Sequence, residues 1–106
     1  MTHLPPERDS EGYLVDLHQW TPDIARMIAA EHDIELGKEH LEVILLLREF
    51  YNEYSLTPAV RVFIKHIGNS LGQDKGNSLY LMKLFPGTPM KLACLIGGLP
   101  KPTNCL

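Results

Sequence analysis

Three Thr-Pro pairs divide this 106-residue chain, at Thr21-Pro22, Thr57-Pro58 and Thr88-Pro89. A threonine can cap the start of a helix, and proline suits the first helical position because its missing N–H has no partner there anyway. Apolar residues follow each pair at the spacing of one helix face. The three pairs therefore predict three helix starts.

Two further helices complete the predicted fold. One runs from about Lys38 to Tyr54 and carries a broad apolar surface, which predicts that it is the central helix of the domain. A shorter helix begins at Asn77 or Ser78. Residues 11–15 are typical of a short strand that would form a small N-terminal β-hairpin. The sequence thus predicts a mainly α fold, one compact domain of about five helices over residues 1–98.

The last eight residues, 99–106, are predicted to form a mobile arm. Pro100 and Pro102 prevent a helix and favour an extended chain, which at about 3.1 Å a residue would reach about 25 Å. Gly97-Gly98 is expected to be the hinge at its base. Cys105 is the next-to-last residue, and an exposed thiol is a liability in a cell unless it is used. The sequence therefore favours an arm that inserts a thiol into a partner over a disordered tail.

The second cysteine, Cys94, lies eleven residues before Cys105, on the last predicted helix. It shares one face of that helix with Met90 and Lys91. The opposite face is expected to pack on the core and consists of Leu92, Leu95 and Ile96. Two interpretations of Cys94 stay open: a small buried hydrophobe, which free cysteine usually is, or a residue that Cys105 meets when the arm folds back. A bond between the two would close a short, strained loop and would be readily reduced.

The cysteines and the N-terminus together indicate where the protein acts and which reactions its thiols take part in. The N-terminus has acids and prolines in place of a signal peptide, which predicts a cytoplasmic protein whose thiols are reactive rather than structural. A thiolate is the nucleophile of thiol exchange and persulfide transfer. The terminal carboxylate beside Cys105 opposes a second anion there. The basic residues that could hold a thiolate or persulfide anion are Arg61, Lys65, Lys91 and Lys101.

The charge distribution and the residue spacing bear on three other classes: membrane proteins, metal-binding proteins and nucleic-acid-binding proteins. Residues 1–54 hold four basic and twelve acidic residues, whereas residues 55–106 hold six basic residues and one acid, a split that is compatible with a basic working face. The sequence contains no run of about 18 apolar residues, so no membrane span is predicted. The two cysteines and five histidines lack metal-ligand spacing, so neither a metal nor another cofactor is predicted. A helix-turn-helix after Pro58 would bind nucleic acid, but the isoelectric point of about 5.9 disfavours it.

The ending Gly98-Leu99-Pro100-Lys101-Pro102-Thr103-Asn104-Cys105-Leu106 resembles the C-terminus of the DsrC/TusE sulfur-carrier family. The likeness covers most of the chain from Glu11 onward, although Pro5-Pro6 departs from the family's first hairpin strand. Further stretches that resemble the family are Glu11-Gly12-Tyr13-Leu14, Trp20, Arg48-Glu49-Phe50-Tyr51, Thr57-Pro58-Ala59-Val60-Arg61, Lys75-Gly76-Asn77-Ser78 and Leu84-Phe85-Pro86.

This resemblance implies a helical domain with a mobile C-terminal arm, and a specific role for each cysteine. Cys105 would accept sulfur as a persulfide from upstream relay proteins of the TusBCD or DsrEFH kind. In TusE-like members the sulfur continues to a tRNA thiolase, for 2-thiouridine synthesis. In DsrC-like members the arm enters dissimilatory sulfite reductase, and a cysteine at the position of Cys94 helps to form an intramolecular trisulfide. The chain is thus predicted to be a sulfurtransferase, with a helix-turn-helix regulator of nucleic acid as the alternative.

Overall fold

The computed structural model describes residues 5–102, which form five α-helices after a short 3-10 helix at Leu17–Gln19. The predicted mainly α fold with five helices is confirmed, and the second helix has the predicted bounds. None of the helices in this part of the chain has the length and apolar character that a membrane crossing requires. The helices are α1 (Pro22–Glu31), α2 (Lys38–Tyr54), α3 (Val60–Leu71), α4 (Ser78–Leu84) and α5 (Pro89–Ile96).

The helix starts follow the Thr-Pro pattern only in part. The Thr21 hydroxyl accepts a hydrogen bond from the N–H of Ile24 at 3.2 Å, as an N-cap should. Thr88 precedes α5 without such a bond. The third helix begins at Val60, two residues later than its Thr-Pro pair predicts. Asn77 caps α4, and its side-chain oxygen accepts a hydrogen bond from the N–H three residues on, at 2.8 Å.

The predicted hairpin is reduced to one antiparallel bridge, between Arg8 and Leu14. Gly12 turns the chain with a φ of +95°, a region that glycine enters at little cost. The Arg8 guanidinium then donates one hydrogen bond to the Gly12 carbonyl at 2.8 Å and two to Glu31 of α1, at 2.7 and 2.9 Å. A side chain rather than a strand ladder therefore holds this turn against the helices.

The helix at the centre of the fold is α5, not α2 as the sequence predicted. α5 packs against α1, α2 and α4. It is apolar around most of its circumference, which is typical of a helix enclosed by others. α2 is longer but amphipathic, with Leu45 half exposed, because one side of it faces solvent. Five of the eight residues of α5 are buried: Met90, Ala93, Cys94, Leu95 and Ile96.

The end of α5 is a fixed turn where the sequence predicted a hinge. Gly98 has a φ of +70°, and the Leu99 N–H bonds back to the Cys94 carbonyl at 2.9 Å, as in a Schellman motif. Both glycines are buried. A Cβ on Gly98 would stand 2.8 Å from Trp20 Cβ and 2.9 Å from Leu14 Cδ1. The glycine is therefore required by close packing as well as by its backbone conformation.

We expect Gly98→Ala to lower the free energy of unfolding by about 3 kcal/mol, because it combines a left-handed backbone with overpacking. Gly87→Ala is the matched control. Gly87 has a φ of +87° with nothing within 4 Å of its added Cβ, so only the backbone cost of about 1 kcal/mol applies. Urea unfolding of both variants measures the difference. Equal losses for the two substitutions would mean that Gly98 is not tightly packed.

Candidate functional site

Cys94 lies in the core, with none of its surface exposed. The predicted division of α5, with Cys94 on one face and Leu95 on the face that packs, is wrong. Met90, Cys94 and Leu95 are all buried, because α5 is enclosed by three other helices. Burial raises the pKa of the Cys94 thiol from 9.0 to about 12. In this conformation Cys94 is a protonated thiol out of contact with solvent.

Two side chains fasten the backbone that leads out of α5 into the arm. The indole N–H of Trp20 donates to the Ile96 carbonyl at 2.9 Å. Arg48 of α2 donates through Nη1 to the Gly97 carbonyl at 2.7 Å and through Nη2 to the Leu17 carbonyl at 3.0 Å. Its guanidinium carbon also lies 4.5 Å from the centre of the Trp20 ring. We call this arrangement the Arg48–Trp20 clamp.

The clamp supplies hydrogen-bond donors to carbonyls that have no partner at the end of a helix. The last carbonyls of a helix have no partner within it and carry a partial negative charge. A cation that donates directly to such a carbonyl gains from both the charge and the hydrogen bond, and the aromatic face beneath adds a cation–π contact. Desolvation lowers the pKa of Arg48, yet a guanidinium keeps its proton in proteins. The clamp thus fixes the direction in which the chain leaves α5.

Sequence reasoning did not identify the clamp, although one signal for it is present. Arg48 stands one residue after Leu47 and four after Ile44, both fully buried, so it falls on the apolar stripe of α2. A charged residue on a stripe that faces the core requires a buried partner. In the sequence, Arg48 and Trp20 stand out only as part of the family resemblance.

The first four residues of the arm, 99–102, lie along the helical body, and we call them the arm root. Leu99 is 1% exposed, and Pro102 is also buried. The Lys101 ammonium pairs with Glu11 of the N-terminal turn at 3.0 Å. A shallow cleft of about 150 Å³ opens beside this segment and is lined by Tyr51, Ser55, Leu56, Thr57, Pro100 and Lys101. Residues 99–102 therefore lie against the body, whereas the sequence predicted an extended arm from residue 99 onward.

The four predicted basic residues lie on three different parts of the chain. Arg61 and Lys65 are exposed, one turn apart on α3, and Lys91 is half-buried on α5. Within residues 5–102, only Lys101 of the four forms an ion pair. Cys105 lies outside the described residues, so its reactivity and its basic neighbours stay predictions.

A second cleft, of about 220 Å³, lies between α2 and α3 and holds no cysteine. Its walls combine two carboxylates with aromatic rings. The ring of Phe50 is tilted against that of Tyr54 and meets the ring of His66 edge-on. Over the described part of the chain, no three histidine, cysteine or carboxylate side chains stand close enough to hold a metal ion. The lining residues of this cleft are Leu46, Glu49, Phe50, Glu53, Tyr54, His66 and Ser70.

Comparison with known proteins gives the family. Residues 2–106 match the family model described as DsrC like protein. Sulfurtransferase TusE of Salmonella typhimurium is 50% identical over 98 residues, which are 92% of this chain and 90% of the relative. The TusE homolog of Haemophilus influenzae is 50% identical over 100 residues, covering 94% and 92%.

Solved structures agree with the sequence relatives. The NMR structure of Allochromatium vinosum DsrC has a TM-score of 0.84 and 50% identity, over 93% of this chain and 88% of that one. The crystal structure of the oxidized gamma-subunit of the dissimilatory sulfite reductase (DsrC) from Archaeoglobus fulgidus has a TM-score of 0.83 and 38% identity, over 95% and 92%. The chain belongs to the DsrC-like family. The predicted sulfur-relay role is thereby confirmed, and no comparison supports the nucleic-acid alternative.

We expect Cys94 to react with thiol reagents about a thousandfold more slowly than an ordinary thiol, from its raised pKa alone. Lack of solvent access should slow it further. The measurement is the alkylation rate by iodoacetamide in a Cys105→Ser background, at mildly alkaline pH. The same protein in guanidinium chloride is the control and should react fully. Fast reaction of the native protein would show that Cys94 is accessible.

The raised pKa of Cys94 also predicts a stability that declines at alkaline pH. Since the folded-state pKa of about 12 lies above the ordinary value of 9.0, the contribution of the thiol is complete below pH 9.0. It is lost progressively as the pH rises towards 12. In a Cys105→Ser background, the unfolding free energy should fall more steeply across this window with Cys94 than with Cys94→Ala. Parallel curves would contradict the shift.

Proposed function

We propose that this chain is a sulfur-relay carrier that accepts sulfur as a persulfide on Cys105 and passes it to a partner protein. The burial of Cys94 is the observation that carries the choice of cysteine. A donor cannot reach a thiol without exposed surface, and a protonated thiol is a poor nucleophile. The other cysteine of the chain is Cys105, and we therefore assign the acceptor role to it. The curated relatives named sulfurtransferase TusE support the transfer chemistry.

The proposed reaction is a balanced exchange at sulfur. The Cys105 thiolate attacks the terminal sulfur of a donor persulfide, so that a new sulfur–sulfur bond forms on Cys105. The sulfur–sulfur bond of the donor breaks, and the donor leaves as a thiolate. In delivery the acceptor's nucleophile attacks the terminal sulfur, and Cys105 is the leaving thiolate. Neither step needs an external oxidant or reductant.

The body and the arm have separate roles in this proposal. The helical domain of residues 1–98 supports the arm of residues 99–106, whose root is packed as far as Pro102. Cys105 lies three residues beyond Pro102, and a chain of three residues spans at most about 11 Å. A partner must therefore approach the body closely, unless the root itself lifts away.

Basic residues supply the electrostatic part of the proposed site. Arg61 and Lys65 are exposed on α3, and Lys91 and Lys101 lie on α5 and on the arm root. A cation near a thiolate or persulfide stabilises the anion and lowers the pKa of the thiol. We assign these four residues to holding the sulfur anion or attracting an acidic partner surface.

The partners follow from the two kinds of relative. We propose upstream donors of the TusBCD or DsrEFH kind in the cytoplasm, and as acceptor a tRNA thiolase or a dissimilatory sulfite reductase. The relatives named sulfurtransferase TusE support the first acceptor. The relative described as the gamma-subunit of dissimilatory sulfite reductase supports the second. Cys94 favours the second acceptor, since the family resemblance associates a cysteine at this position with sulfite reductase.

Loading with a persulfide donor should add one sulfur, about 32 Da, to the parent and to Cys94→Ala, but not to Cys105→Ser. Intact-mass measurement in the absence of reductant reads the result directly. Cys94→Ala serves as the matched control because it removes the other thiol. The assignment fails if Cys105→Ser loads as well as the parent, or if Cys94→Ala alone abolishes loading.

A further inference from the structure

We propose that the cleft between α2 and α3 binds an arginine side chain on the surface of a partner protein. The guanidinium pairs with the carboxylates of Glu49 and Glu53, which line the cleft. It lies against the rings of Phe50 and Tyr54, which line it too. We call this site the Glu49–Glu53 cleft. The proposal goes beyond the sulfur transfer proposed above and does not require that Cys105 carries sulfur.

One stripe of α2 forms most of the Glu49–Glu53 cleft. The two glutamates are one turn apart on this helix, and so are Phe50 and Tyr54, so that all four side chains project from the same side. The rings of Phe50 and Tyr54 are tilted by 48°, with 4.6 Å between their centres. From α3 the ring of His66 meets Phe50 edge-on, at 6.0 Å between centres. Aromatic rings therefore stand directly beside two carboxylates.

The negative charge of the cleft has no counterpart in the described part of the chain. Neither Glu49 nor Glu53 forms an ion pair with any residue of the range 5–102. Like charges at this spacing repel one another on a helix. Glu53 also lies in the last turn of α2, which holds no basic residue and where the helix end carries a partial negative charge. The carboxylates and the helix end together favour a cation here.

The size and the walls of the cleft favour one arginine side chain. Its volume is about 220 Å³, whereas pockets for small molecules usually start at about 300 Å³. A guanidinium is planar, stacks on aromatic rings and donates two parallel hydrogen bonds to a carboxylate. An ammonium is a compact and strongly hydrated charge, which gains less from the rings. The combination of rings and carboxylates therefore favours arginine over lysine.

The position of the cleft would bring a bound partner close to the arm root. Tyr51 and Ser55 line the cleft beside the arm root, whereas Phe50 and Tyr54 line the Glu49–Glu53 cleft. Successive residues of a helix are about 100° apart around its axis, so the two clefts open on neighbouring sides of the same end of α2. A partner whose arginine is bound in the Glu49–Glu53 cleft thus has its surface beside residues 99–102.

The test is an NMR titration of the isotope-labelled full chain with N-acetylargininamide, a single arginine with uncharged ends. The resonances of the cleft residues should shift saturably, with a dissociation constant of the order of a millimolar for so small a ligand. N-acetylcitrullinamide has nearly the same shape without the charge and should give no saturable shift. N-acetyllysinamide should bind about threefold more weakly than the arginine compound, or weaker still.

Matched variants separate the cleft from the general acidity of α2. Glu49→Gln with Glu53→Gln should weaken binding about fivefold or more, because both charge-assisted hydrogen bonds are lost. Glu35→Gln with Glu39→Gln removes the same charge from exposed positions outside the cleft, and should leave the dissociation constant within about twofold. Phe50→Leu should weaken binding about threefold by removing a cation–π contact. Unchanged resonances away from the cleft verify that each variant is folded.

Several outcomes would overturn the proposal. They are the absence of a saturable shift at the cleft, binding of the citrulline compound as tight as that of arginine, and binding of the lysine compound as tight as that of arginine. An equal loss of affinity in the two glutamine double variants also overturns it. If dilution without any ligand shifts the cleft resonances, a second copy of this chain is the occupant, and the proposal is wrong. Failure of Cys105 to accept sulfur would leave all these measurements unchanged, so the two proposals fail separately.

Discussion

The carbonyl groups at the C-terminal end of α5 are the constraint on which the rest of this structure depends. A helix at the centre of a domain ends inside it, where water cannot satisfy its last acceptors. Here a guanidinium from α2 and an indole from the segment before α1 supply the missing donors. The same contacts join the two ends of the described chain, because the N-terminal segment and the arm root meet at Trp20. The position of residues 99–102 thus follows from the way in which α5 is completed.

The sequence predicted those features of the fold that depend on residues close together along the chain. The bounds of α2 and the cap at Asn77 follow from apolar spacing and from residue types that start helices. The enclosure of α5 depends on three other helices, and no pattern within eight residues contains that information. The sequence predicts a hinge at Gly98 because glycine permits motion, whereas in the structure Trp20 leaves no space there for a side chain. The arrangement of the clamp could not be derived, although a charge on the apolar stripe of α2 marked its place.

Cys94 shows how the surroundings of a cysteine decide whether its thiol can react. A thiol in a packed core loses the solvation that its anion needs, and so it stays protonated and unreactive. A carrier of sulfur benefits from a second thiol that does not react, because its cargo is itself an electrophile towards any other available thiolate. The core position of Cys94 is therefore compatible with function as well as with packing.

The contact between the indole of Trp20 and the arm root has an optical consequence. The chain contains one tryptophan, and it bonds to the Ile96 carbonyl, lies under a guanidinium and packs against Gly98. All the tryptophan fluorescence of this protein therefore comes from the place where the arm is attached. The chain carries its own fluorescent reporter of the packing at that attachment, with no label required.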